Sequence, residues 1–192
     1  MSDAMKNING SMAAVIGLEG KIVDRICKLN TNTNAIVEAV NFNCPGQTVI
    51  AGHDRAIDNI QDKLKNEGAK IVKKLPVSIA AHTSLLKEAS KRLEVEFDEI
   101  KLNNDTLFDI IHNYDLSTCK VDSELTNVLC KQIHSPVRWI ETLELFKNKG
   151  IKNIIEVGPG KVLSGLIKRF DKSFNIFTTN SIEDIKLIVD SL

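Results

Sequence analysis

The chain lacks an excess of charge of either sign. Its 192 residues include 25 Lys and Arg and 25 Asp and Glu, so the formal net charge at pH 7 is zero. Nucleic acids and anionic membrane surfaces attract basic proteins, so we expect neither as the main partner. Hydrophobic residues make up 43% of the chain, which is the balance of an ordinary globular protein with a buried core.

The sequence also lacks a long apolar segment and any close pair of cysteines. The longest apolar run near its start, residues 12–18, is too short to span a bilayer and is followed by Glu19. Cys27, Cys44, Cys119 and Cys130 form no C-x-x-C pair, which argues against a zinc site or a redox dithiol. With no export signal visible, we predict free thiols and a cytoplasmic location.

Residues 12–76 alternate between strand and helix patterns. The apolar run at residues 13–18 is typical of a buried strand, and residues 20–29 carry apolar side chains at helical spacing. Further strands are predicted at 35–42, 48–51 and 71–75, and a helix at 55–66 with Asp54 as its cap. This βαββαβ order predicts a ferredoxin-like subdomain, preceded by a lead-in at residues 1–11.

Residues 77–192 carry longer helical patterns between short apolar strands. Helices are predicted at 84–95, 123–133, 136–149, 162–170 and from Ser181 onward, and strands at 107–112, 153–157 and 175–178. Such alternation favours a parallel sheet covered by helices on both faces, so we predict an α/β domain over this range.

Two sites in this second range have chemical interest. His82 follows a strand-like segment and precedes a helix, a position where loops collect catalytic groups, and its imidazole can act as a general base. A capping or solvated histidine is the alternative. The turn Gly158-Pro159-Gly160 resembles a phosphate-binding turn, but Val162 follows Gly160-Lys161 where a phosphate-binding loop has Ser or Thr. A plain strand-to-helix turn is therefore favoured, with Glu156 as a structural hydrogen-bonding partner.

Five segments together resemble the malonyl-CoA:acyl carrier protein transacylases and the related acyltransferase domains of polyketide synthases. They occur in order over about residues 8–182: GSMAAVIGL at 10–18, NFNCPGQTVIAG at 41–52, LPVSIAAH at 75–82, QIHSPVRW at 132–139 and EVGPGKVL at 156–163. The resemblance implies that a ferredoxin-like subdomain, here residues 12–76, is inserted in an α/β-hydrolase-like core. Residues 77–192 would be the C-terminal part of that core.

The resemblance also implies a chemistry. A serine of the family accepts malonyl from coenzyme A and passes it to the phosphopantetheine thiol of acyl carrier protein. His82 matches the family's general base, and Gln132 matches the glutamine whose backbone carbonyl orients the imidazole. Malonyl-CoA would be a substrate and acyl carrier protein a partner, with no metal or redox cofactor.

The sequence departs from the family in lacking the G-x-S-x-G motif of the nucleophile. That motif, the arginine that binds the malonyl carboxylate and the first oxyanion-hole glutamine lie upstream of the matching segments. Three hypotheses follow: a C-terminal part that is active with an N-terminal half from another polypeptide, a non-catalytic module that binds acyl carrier protein, and a decayed fragment. A basic stretch supports the second hypothesis, although a solvated helix face explains it as well: Lys161, Lys168, Arg169 and Lys172.

Overall fold

The computed structural model describes residues 8–100, 108–118 and 122–191. The chain divides into two compact units, Met1–Trp139 and Ile140–Leu192. The first unit therefore includes the predicted subdomain at 12–76 together with the loops and helices that follow it.

The first unit begins with six elements in the order βαββαβ, as predicted. Their bounds are β1 Gly10–Ile16, α1 Gly20–Asn30, β2 Val37–Cys44, β3 Gln47–His53, α2 Asp54–Asn66 and β4 Ile71–Lys74. The four strands form one antiparallel sheet in the order β2-β3-β1-β4. β1 begins inside the predicted lead-in because Gly10 and Ser11 already pair with β3.

The two faces of this sheet are covered by different parts of the unit. On one face, α1 and α2 bury Val23, Ile57 and Leu64 against the sheet. Strand alternation sends Val49 and Ala51 of β3 to the other face, where they pack with residues from the segment after β4. That segment carries His82, so the second face of the sheet supports the candidate site.

A 3-10 turn and two described helices complete the first unit. The turn at Ser84–Leu86 leads directly into α3 at Lys87–Asp98, and α4 spans Asp122–Gln132. Both helices fall where helical periodicity predicted them. The next helix, α5 at Trp139–Asn148, begins three residues after Pro136 rather than at it.

Two local predictions were wrong. Asp54 is the first residue of α2 and makes no capping hydrogen bond; its carboxylate instead accepts one from Lys74 Nζ at 2.8 Å. Residues 108–112 of the predicted strand 107–112 are not in a strand, and residue 107 lies outside the described ranges. The His112 amide bonds to the Ser117 carbonyl instead, so this apolar run closes a turn rather than joining a sheet.

The second unit holds a parallel pair of strands with helices. β5 at Asn153–Glu156 pairs in parallel with β6 at Asn175–Thr178, with α6 at Val162–Phe170 between them and α7 at Ile182–Ser191 after them. These strands and α6 confirm the predicted elements. Among the described residues, no helix combines the length and hydropathy needed to cross a bilayer.

Candidate active site

His82 lies in a tight turn and has an unusual backbone conformation. Its φ angle is 63°, in the left-handed region that residues other than glycine rarely adopt. A conformation of this kind costs roughly 1–3 kcal/mol and persists only where the surrounding structure holds it. The contacts around His82 are therefore part of the site.

One set of contacts joins His82 to the end of α4. The His82 amide donates to the Ile133 carbonyl at 3.1 Å, and Nδ1 lies 2.9 Å from the Gln132 carbonyl oxygen. The last carbonyls of a helix have no partner within it, so the Gln132 carbonyl is free to accept. The structure thus brings together the two residues that the resemblance pointed to.

This contact fixes which imidazole nitrogen carries the proton. A carbonyl oxygen only accepts hydrogen bonds, so His82 Nδ1 must be the donor. In the neutral ring Nε2 then holds the lone pair and is the nitrogen able to accept a proton. His82 is half-buried, which leaves the ring partly accessible.

A second set of contacts holds the chain just after His82. Thr83 is fully buried, and its hydroxyl donates to the Ala80 carbonyl at 2.7 Å. The Ser84 amide and hydroxyl both donate to the Glu38 carboxylate, at 2.9 and 2.6 Å. Sequence reasoning missed Glu38. The available signal was a lone carboxylate within the otherwise apolar or neutral stretch of β2.

A hydrogen bond joins Asn113 to the chain near the end of the first unit. Asn113 accepts a hydrogen bond from the Arg138 amide through its backbone carbonyl, at 2.8 Å. Three buried side-chain atoms in this region have no hydrogen-bond partner among the described residues: His112 Nε2, Asn113 Oδ1 and Trp139 Nε1.

The glycine turn of the second unit is already occupied by protein acceptors. The Gly158 amide donates to Thr179 Oγ1 at 3.1 Å, and the Gly160 amide to Asn180 Oδ1 at 2.6 Å. Anion binding at such a turn depends on free amides. The structure therefore favours the plain turn over a phosphate site.

Glu156 caps the start of α6. Its carboxylate accepts hydrogen bonds from the Leu163 and Ser164 amides at 3.0 and 2.8 Å. Partial desolvation raises the pKa of this carboxyl, but bonds from the Ser164 hydroxyl and from backbone amides outweigh it, so the pKa is lowered. The prediction that Glu156 has a structural role is confirmed.

The described cysteines are buried thiols, and the pKa of one of them is strongly raised. Cys27, Cys44 and Cys130 are buried and form no disulfide, whereas Cys119 lies outside the described ranges. Burial, with smaller contributions from Asp24 and Glu38, raises the pKa of Cys27 to about 12. The thiolate is the nucleophilic form, so Cys27 is not a candidate nucleophile.

The basic stretch is partly gathered around one cavity of the second unit. Lys161 and Lys168 line a cavity of about 350 Å³ together with Thr178 and Asp184, while Lys172 is exposed. Within the described part of the chain, no three His, Cys, Asp or Glu side chains come together as a possible metal site.

Comparison with known proteins supports the resemblance. Malonyl CoA-acyl carrier protein transacylase of Staphylococcus aureus strain MSSA476 is 37% identical over 186 residues, which cover 97% of this chain. The transacylase of Haemophilus influenzae Rd is 35% identical over 192 residues. The chain is thus similar over nearly its whole length to one part of the malonyl CoA-acyl carrier protein transacylases. It spans about three-fifths of these relatives, 60% and 61% of their lengths.

Solved structures of transacylases agree. A malonyl-transacylase in complex with its type II polyketide synthase acyl carrier protein superposes with a TM-score of 0.94 at 33% identity, covering all of this chain and 61% of that one. The malonyl CoA-acyl carrier protein transacylase of Coxiella burnetii gives 0.92 at 34% identity, with 99% and 61% covered. No family model matches the chain.

Proposed function

We propose that this chain is the base-carrying part of an acyl-carrier-protein S-malonyltransferase of fatty acid biosynthesis. The observation that carries the proposal is the 2.9 Å contact between His82 Nδ1 and the Gln132 carbonyl, which leaves Nε2 as the proton acceptor. The homologous transacylases, at 35–37% identity, support the reaction class.

In the proposed fold, a ferredoxin-like subdomain at residues 12–76 is inserted in an α/β-hydrolase-like core, and residues 77–192 are the C-terminal part of that core. The βαββαβ order and the sheet order β2-β3-β1-β4 support the first half of this statement. The parallel pair β5–β6 supports the second, since parallel strands joined through helices are typical of α/β cores.

In the proposed reaction, a serine supplied by an N-terminal half attacks the thioester carbonyl of malonyl-CoA. His82 Nε2 takes the serine proton as the O–C bond forms, and returns it to the coenzyme A thiolate as the C–S bond breaks. In the second half-reaction, Nε2 takes the proton of the phosphopantetheine thiol as the sulfur bonds to the malonyl carbonyl carbon, and gives it back to the serine oxygen as the C–O bond breaks. The Gln132 carbonyl keeps the imidazole in the required tautomer throughout.

The proposed partners are malonyl-CoA as substrate, acyl carrier protein as acceptor, and an N-terminal half supplied by another polypeptide. The proposed location is the cytoplasm. No resident cofactor takes part in these steps. A structure of a homologous transacylase with its acyl carrier protein supports the acceptor. Lys161 and Lys168 provide positive charge suited to an acidic carrier.

The proposal is tested by complementation. The chain is co-expressed with the segment of the S. aureus transacylase that its match leaves uncovered, and malonyl transfer from malonyl-CoA to holo carrier protein is measured. We expect transfer by the pair, and a loss on the order of 10²–10⁴-fold in His82→Ala, the usual contribution of a positioned general base.

His134→Gln, which alters another half-buried histidine, serves as the control. Equal activity of His82→Ala and the control would contradict the assignment, as would failure of every complementing segment.

A carrier-binding module without chemistry is the second candidate, and the lysine-lined cavity favours it. Titration of the chain with holo carrier protein separates the two functions. Saturable binding without transfer in any complemented pair would establish the module, and absence of binding would remove it. A broad, non-cooperative unfolding transition would instead favour a decayed fragment.

A further inference from the structure

We propose that Glu38 is a positioning residue for His82, which keeps the imidazole in the tautomer that leaves Nε2 unprotonated. The inference rests on the proposed function for its role in catalysis, but the imidazole tautomer itself concerns only the loop of residues 80–84. Glu38 lies on β2, far from that loop in sequence, and touches it through both carboxylate oxygens.

The two hydrogen bonds fix Ser84 at the start of a helical segment. The Ser84 amide donates to Oε2 at 2.9 Å and its hydroxyl to Oε1 at 2.6 Å. Ser84 begins the 3-10 turn that continues into α3, and the first amides of such a segment have no partner within it. A carboxylate satisfies this amide and also complements the positive end of the helix dipole.

The strained conformation of His82 requires restraint on both of its sides. On one side Gln132 and Ile133 hold its ring and amide. On the other side Ser84 is held by Glu38, and only the buried Thr83 lies between. With the Glu38 contact removed, the turn can relax from φ 63° toward an ordinary conformation, which draws Nδ1 away from the Gln132 carbonyl.

The position of Glu38 makes it an effective anchor. It lies within a strand of the four-stranded sheet and is paired opposite Ala51 of β3. Groups mounted on strands hold a site more precisely than groups on loops. Because Glu38 is held in the sheet, its hydrogen bonds to Ser84 restrain the turn that contains His82.

The test is the tautomer of His82 measured by ¹⁵N NMR, at a pH where the imidazole is neutral. The variants are Glu38→Gln, whose amide nitrogen cannot accept a hydrogen bond, and Glu67→Gln as the control. Glu67 is an exposed carboxylate of the first unit, with one oxygen 3.6 Å from the Arg25 guanidinium. His82→Gln identifies the signal among the four histidines.

We expect the wild type and Glu67→Gln to hold the proton on Nδ1. In Glu38→Gln the ratio of the Nδ1–H to the Nε2–H form should fall about tenfold, the equivalent of one hydrogen bond's net contribution. An unchanged ratio in a folded Glu38→Gln chain would overturn the inference, and so would an equal fall in Glu67→Gln. If Glu38 had only a structural role, its substitution would lower the stability of the chain and leave the His82 tautomer unchanged. Thermal unfolding of each variant is therefore recorded as well.

Ser84→Ala provides a second, milder variant should Glu38→Gln fail to fold. It removes the hydroxyl bond and keeps the amide bond, so a smaller shift in the same direction is expected; no shift in the folded variant overturns the inference. None of these measurements requires acyl transfer. A tautomer shift combined with inactive complemented pairs would reject the proposed function and leave the role of Glu38 intact.

Discussion

At Gly52 the backbone of β3 lies close to the carbonyl of Ile36, just before β2. A Cβ built on this residue would lie 2.0 Å from the Ile36 carbonyl oxygen, which itself accepts a hydrogen bond from the His53 amide. We therefore expect Gly52→Ala to destabilise the chain by about 3 kcal/mol or to prevent folding, because β2 and β3 must move apart. Urea unfolding measures this change.

The matched control is Gly165→Ala in α6. There the nearest atom to a new Cβ, other than its own helix backbone, is Arg169 Nη2 at 3.9 Å, an ordinary contact. Because alanine favours the helix, this variant should gain about 0.5–1 kcal/mol. Similar effects of the two substitutions would contradict the steric account of Gly52.

His82 shows what sequence can and cannot reveal about a single residue. Its place at the end of the segment LPVSIAAH, residues 75–82, singled it out, and its catalytic role stays a prediction. Its positive φ and its distance from the Gln132 carbonyl arise from tertiary contacts between segments 50 residues apart. Periodicity carries no information on such contacts, which is also why the Glu38–Ser84 pair was missed.

At the scale of elements, α6 depends on one carboxylate for the amides at its start. Glu156→Gln replaces an acceptor oxygen by an amide nitrogen, so the bonds to Leu163 and Ser164 cannot both persist. We expect a loss of about 1 kcal/mol, typical of a lost helix cap, in chemical denaturation. Glu183→Gln in the first turn of α7 is the control. An equal loss of stability in Glu183→Gln would show that the loss comes from the removed charge and not from the lost cap.

The elements predicted well from the sequence combine apolar residues at helical spacing with a glycine that marks where the helix begins or ends. α2 ends two residues before Gly68, which has a φ of 107°. α6 follows the glycine turn, and its observed bounds are those predicted. Residues 108–112 are the counterexample. A short apolar run has no period that separates a strand from a buried loop, and only the His112–Ser117 hydrogen bond decides between them.

At the scale of the whole molecule, the carboxyl pKa values that are shifted among the described residues are all lowered. Hydrogen bonding to Lys147 and Ser173 lowers the pKa of Asp171 from 3.8 to about 2, and the pKa values of Asp54, Glu88 and Glu156 are also lowered. A carboxyl with a lowered pKa binds protons more weakly in the folded state than in the unfolded one. Its contribution to stability is therefore complete above the unfolded pKa and is lost as pH falls through the folded value.

The chain should accordingly lose stability on acidification, beginning below about pH 4.5, the unfolded pKa of the glutamates, and continuing to about pH 2 through Asp171. Urea unfolding at a series of pH values measures the slope. Asp171→Asn removes a carboxyl whose pKa is lowered to about 2, so the slope for this variant should be shallower between pH 4 and pH 2 and unchanged near neutrality. Parallel curves for wild type and Asp171→Asn over that range would mean that the Lys147–Asp171 contact is not maintained in solution.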